Sequence, residues 1–264
     1  MTTATLTRTT DLRTASLDAR TTSVAGHDLG SPPDEGLRGG AETHSIRTVS
    51  TIAGVGLLAM SVLSAFGYLV AVKGLTVPGN AERTAKNIAG HEGMFRFGIL
   101  SLYLVAILDV VVAWALYRVF KPVSGVLSKL AAWLRIAYAA VFTVAISQLF
   151  GALGLHRQAL GHINSFTNVW DAALVLFGLS LLILAYLAYR SNYVPKLLGV
   201  LLAIAGSGYV FDTIVRVLVR GLSSDVSAIT GMGEFVFALW LVFRGRCINV
   251  SDAESHDNSI GTTR

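Results

Sequence analysis

Cysteine is nearly absent from this chain: Cys247 is the single one, just beyond the last apolar run. No intrachain disulfide can form, and no cysteine-built metal site either. Charge is also scarce, with Asp, Glu, Lys and Arg at 14% of residues, where soluble domains carry about a quarter. A soluble domain of this size could not cover its surface with so few. The net charge of +5 is spread through tails and loops beside apolar runs, so it reads as topology control and excludes a nucleic-acid patch. Catalytic signatures are missing as well: there is no phosphate loop, no Gly-x-Ser-x-Gly elbow and no His-Glu-x-x-His helix. His91, His156 and His162 fall in loops, without the tight spacing or accompanying ligands of a zinc site. Neither a cofactor nor a metal is expected.

What the chain has in quantity is apolar residue, 53% of the total. It is gathered in blocks of about 20, the length a helix needs to cross roughly 30 Å of hydrocarbon. The expected fold is all-α: an integral membrane bundle of six transmembrane helices with disordered N- and C-terminal tails. The spans fall at about 49–72, 94–117, 126–150, 166–189, 196–219 and 226–243, within a membrane domain 47–246. Residues 1–46, rich in Thr, Ser, Arg, Asp and Gly, show no apolar period and cannot bury enough surface to offset chain entropy; 247–264 reads the same way. Ser50, Gly54 and the other small residues of the first span form a face that another helix can approach, within the chain or in a homodimer.

Between the first two spans, Pro78-Gly79 marks a turn and Asn80 can cap a helix. Ala81, Thr84, Ala85 and Ile88 then recur at helical spacing until Gly90, which predicts a short amphipathic helix on the membrane surface. Trp114, Tyr117 and Phe120 read as an aromatic anchor at the far end of the second span. Six spans put both termini on one side. The basic residues near that side outnumber those opposite by about nine to five, or about nine to seven when Arg96 and Arg216 are counted. The expectation is a bacterial cytoplasmic membrane with both termini cytoplasmic.

Nine charged residues lie within the spans; Lys129 and Lys196 count among the basic residues of the inner side, and the other seven are the intramembrane charges. Asp109 and Arg135 are each about nine residues from the inner ends of their helices, or about 13 Å deep, which predicts an inner structural ion pair. Arg96, Asp171, Asp212, Arg216 and Glu234 are read as an outer polar cluster, with Asp212 and Arg216 one turn apart. Gly206-Ser207-Gly208 is expected to break the fifth span beside it. Because intramembrane charge is costly and marks pathways or pairs, the cluster is the candidate site.

Several short runs resemble one family. They are Gly74-Leu75-Thr76-Val77-Pro78-Gly79-Asn80-Ala81, Thr84-Ala85, Asn87-Ile88, Phe95-Arg96-Phe97-Gly98, Asp109, Leu116-Tyr117 and Pro122. Trp170-Asp171, Phe177-Gly178, Tyr189-Arg190-Ser191, Pro195 and Leu198-Gly199 continue them. From about Val49 to Val219 the chain is similar to the bacterial membrane family called domain of unknown function 4386. The resemblance implies a six-span membrane protein and carries over no catalytic residue.

The functional expectation is a non-enzymatic membrane protein, in contact with the lipid bilayer, that binds or translocates a small charged solute through an outer polar cavity. The alternatives are an intramembrane enzyme built on facing carboxylates such as Asp171 and Asp212, whose shared site would favour one bound proton, and a structural or regulatory membrane subunit.

Overall fold

The computed structural model describes residues 34–154, 158–218 and 232–244, with side chains from Arg47 onward. Helix α1 (Asp34–Ser64) runs on through a π-helical stretch, Ala65–Val72, and a 3-10 turn, Lys73–Leu75. It is followed by α2 (Ala81–Gly90), α3 (Glu92–Phe120), α4 (Gly125–Gly154), α5 (Ala159–Arg190), α6 (Lys196–Leu218) and α7 (Met232–Phe243). Among the described residues there is no strand.

Five of these segments are long and apolar enough to cross a membrane: Arg47–Leu75, α3, α4, α5 and α6. Their outward faces carry large apolar side chains, including Val62, Phe97, Ile107, Val144, Leu197 and Phe211. That surface suits hydrocarbon and would be costly in water. The sixth span differs from expectation, because α7 has 12 residues and a length of about 18 Å; residues 226–231 lie outside the described ones. Helix α1 starts at Asp34, inside the stretch expected to be a tail. Pro33 precedes it in the sequence, a residue suited to a helix start. Residues 1–33 and the 247–264 tail lie outside the described residues. Helix α5 also begins early, at Ala159, so His162 and Asn164 sit on its first turns. Buried Ile163 and Phe166 share those turns and anchor them to the bundle.

The long helices form a closed ring in chain order. Each packs on the next from α1 through α3, α4, α5 and α6 to α7, and α7 closes back onto α1. Phe95, Phe142, Phe166, Phe237, Leu102 and Leu149 are fully buried. The small-residue face of α1 receives α7 of the same chain: a Cβ built on Gly54 meets Val242 at 2.8 Å, and one on Gly56 meets Val112 of α3 at 2.6 Å. Gly54 and Gly56 are thus occupied by helices of the same chain.

Glycine also sets the α5–α6 approach. A Cβ on Gly178 lies 2.8 Å from the Gly206 carbonyl, and a Cβ on Gly206 lies 2.8 Å from the Gly178 carbonyl. The expected break at Gly206-Ser207-Gly208 does not occur, since α6 is continuous; backbone proximity is what the glycine serves. In the π-helical stretch the Lys73 N–H reaches Tyr68 O, and Gly67 lies against Ser101 and the Gly98 carbonyl of α3.

The short amphipathic helix forms as expected. Asn80 Oδ1 accepts from Arg83 N at 2.9 Å, and Gly79 takes a φ of 74° in the turn before it. Thr84, Ala85 and Ile88 are buried, and Asn87 Nδ2 donates to Leu75 O. Helix α2 packs against α3, α4 and α5 and covers that end of the ring. At the opposite end Tyr193 donates to Val119 O at 2.7 Å and stacks on Phe120. Burial raises the Tyr193 pKa well above its ordinary value. Phe120 is fully buried and belongs to this core contact; the aromatic anchor is left to Trp114 and Tyr117.

Substituting Gly206→Val places branched carbons against the Gly178 backbone, which cannot yield as a side-chain tip does. We expect a loss of about 1–3 kcal/mol, as for overpacked cores, read as a lower melting temperature in detergent. Gly90→Ala, whose Cβ has open space, should leave the melting temperature unchanged or higher.

Candidate functional site: a buried charge centre

Depth is fixed by position along each helix. Asp109 stands about eleven residues before the end of α3, Arg135 about ten after the start of α4 and Glu234 about nine before the end of α7. At 1.5 Å per residue Asp109 and Arg135 lie about 15–17 Å from the same end of the ring, while Gly233, the neighbour of Glu234, packs beside Leu201, five residues into α6. Arg135 Nε donates to Asp109 Oδ1, and both side chains are almost wholly buried, at 2% and 1% exposed. The Arg135 charge reaches Glu234 of α7, and Tyr209 of α6 lies next to Glu234. Helices α6 and α7 approach closely: a Cβ on Gly233 would lie 2.7 Å from the Leu201 carbonyl.

Aromatic side chains wall the centre. The Arg135 guanidinium lies over the Phe177 ring at 4.8 Å, a cation–π contact strengthened where water is absent. Phe177 meets Tyr138 at 4.9 Å and Tyr209 at 5.4 Å between ring centres. Trp170 Nε1 donates to Tyr138 Oη at 2.9 Å. Trp170, Phe166 and Tyr68 then continue the aromatic column toward the α2 end.

The expected outer cluster does not assemble as one group. Arg96 is exposed and pairs with Glu92, one turn before it on α3, at 2.6 Å. Arg216 Nη1 pairs with Asp171 Oδ2 at 2.6 Å, with Arg216 one-third exposed. Asp212 is buried one turn before Arg216, while Glu234 lies within electrostatic reach of Arg135. Tyr209, Tyr138 and Phe177 carried no signal in the sequence, since aromatic residues in apolar helices are ordinary core.

Arg135 is ion-paired with Asp109, and Asp109 Oδ2, Arg135 Nη2 and Glu234 Oε1 are buried without a hydrogen bond among the described residues. Such a group can hold a further small cation or a proton, or it can fix helix register. Elsewhere, His91 Nδ1 lies 3.1 Å from Asn87 O at a helix boundary, the His162 ring fills the space beside Gly151, and His156 lies outside the described residues.

Comparison with known proteins now bears on this arrangement. A family model described as Domain of unknown function (DUF4386) matches residues 52–245. The chain belongs to the DUF4386 family. An uncharacterized protein of Archaeoglobus fulgidus is 37% identical to this DUF4386 chain over 150 residues, which are 57% of the chain and 85% of that relative. No solved structure matches. The runs through which the sequence resembles DUF4386 now have places in the fold. Gly98 lies against Ala71, Gly178 against Gly206 and Gly199 against Tyr189, while Trp170 and Phe177 line the centre.

Replacing Asp109 alone should be severe. Asp109→Asn leaves Arg135 buried without its direct counter-ion, at a cost of about 3–5 kcal/mol, measured by thermal unfolding in detergent. Converting both partners, Asp109→Leu with Arg135→Leu, should recover only part of this, because Glu234 then loses its cation. Adding Glu234→Gln should restore more. Full recovery in the double variant would show that Glu234 is not coupled to the pair.

Proposed function

We propose that this DUF4386 member is a non-enzymatic integral membrane protein whose ring interior binds a small, positively charged solute at the Asp109–Arg135–Glu234 centre. One observation carries the reading: beside the Asp109–Arg135 ion pair, Asp109 Oδ2, Arg135 Nη2 and Glu234 Oε1 are buried without a hydrogen bond among the described residues. Intramembrane charge that pairing does not neutralise favours a mobile counter-charge. The solute reading thus moves from an outer cluster to an inner, aromatic-walled site. The proposal places the protein in a cytoplasmic membrane with both termini inside, as the distribution of basic residues suggests.

The carboxylate-enzyme reading receives less from the geometry, since Asp171 is engaged by Arg216. A regulatory-subunit reading rests on exposed helix faces alone, which every lipid-facing helix presents.

Purified protein should be titrated with sodium, potassium and methylammonium chlorides at an ionic strength held constant with choline. A ligand of the folded state raises the melting temperature by mass action, about 2.7 kcal/mol at a hundredfold excess over Kd. We expect one of the three to stabilise the wild-type chain and Glu234→Gln to lose that response while remaining folded. Flat titrations in the wild type, or the same response in Glu234→Gln, would sink the proposal.

A further inference from the structure

A second feature is independent of the charge centre. Where α3 passes to α4, an open groove of about 650 Å³ is lined by Tyr117, Lys121, Ser124, Lys129, Leu130 and Trp133. Its chemistry is divided. Lys121 ends α3 and Lys129 lies just over one turn into α4, so two ammonium groups flank the groove without an acidic residue lining it. Beyond Lys129, Trp133 is 70% exposed and Leu130 48% exposed, and both belong to a helix apolar enough to cross a membrane.

Trp114 on α3, 51% exposed, stands with Tyr117 near this end of the bundle, as aromatic residues do at the boundary between hydrocarbon and headgroups. Lys121 and Lys129 lie toward the helix ends, and the apolar wall of Leu130 and Trp133 continues along α4 away from them. A ligand matching both halves is anionic at one end and aliphatic at the other.

We propose that this groove is a binding site for an anionic phospholipid. Lys121 and Lys129 hold the headgroup phosphate, and the acyl chains run along Leu130 and Trp133. Basic recesses beside membrane helices suit such headgroups, and each lysine near an anionic lipid surface contributes roughly a fivefold gain in affinity. The site would tie the α3–α4 hairpin, which carries Asp109 and Arg135, to the headgroup layer.

The test is retention of phosphatidylglycerol against phosphatidylcholine by the full-length protein, measured by native mass spectrometry from mixed micelles. We expect the wild type to prefer phosphatidylglycerol and the double variant Lys121→Gln, Lys129→Gln to bind it about 25-fold more weakly, from two fivefold effects. A control variant, Arg83→Gln with Lys86→Gln on α2, removes the same charge from the other end of the bundle and should keep the preference. Equal loss in the control would show a general charge effect and overturn the site, as would no preference in the wild type. Displacement of the lipid by millimolar inorganic phosphate would identify a free-anion site instead. If the double variant fails to fold by circular dichroism, Lys129→Gln alone should still weaken retention about fivefold, and unchanged retention would overturn the proposal.

Discussion

Arg135 is almost wholly buried about a third of the way along its helix, and a guanidinium there must be met by negative charge, aromatic faces and hydrogen-bond acceptors. The neighbouring helices supply these from several directions: α3 brings Asp109, α5 brings the face of Phe177, and α7 brings Glu234 with Tyr209 of α6 behind it. Closure of the ring by α7 is thus an electrostatic matter as well as one of packing. A bundle in which α7 sat elsewhere would leave the centre with Asp109 alone.

The close contacts that permit this closure are made by small residues. Gly54 admits α7 against α1, Gly233 admits it against α6, and Gly178 with Gly206 lets α5 and α6 approach at backbone distance. Within a membrane, where apolar burial gives helices little reason to associate, close packing and interhelical polar contacts must do so. Here the two coincide, since Gly233 immediately precedes Glu234. Packing and charge placement on α7 are adjacent consequences of two consecutive residues.

Outside the centre, several polar groups find partners within a turn or on the next helix. Arg96 turns to Glu92 on its own helix and Arg216 to Asp171 across to α5, while Thr84 and Asn80 hold the α2 turn. Helix α2, lying over one end of the ring, and the α3–α4 hairpin, with its lysine groove at the other, frame the aromatic column between them. The interior and the lipid-facing groove meet on the same hairpin.

Composition and hydrophobic block length by themselves determined the all-α membrane class, because an apolar run of about 20 residues satisfies its backbone only as a helix in hydrocarbon. Local chemistry determined the Asn80-capped helix, and residue counting from helix ends put Asp109 level with Arg135. Those features depend on distances along one chain segment. The membership of the charge centre did not follow, because Glu234 joins it through the rotation and docking of α7, which depend on glycines meeting carbonyls of other helices. Nor did the fate of Arg96, since a helix-terminal arginine can turn inward or toward a neighbour one turn away at little cost in backbone geometry. Depth is a one-dimensional quantity that the sequence carries; which residues at one depth face each other is set by how the helices pack, and only the tertiary structure decided that.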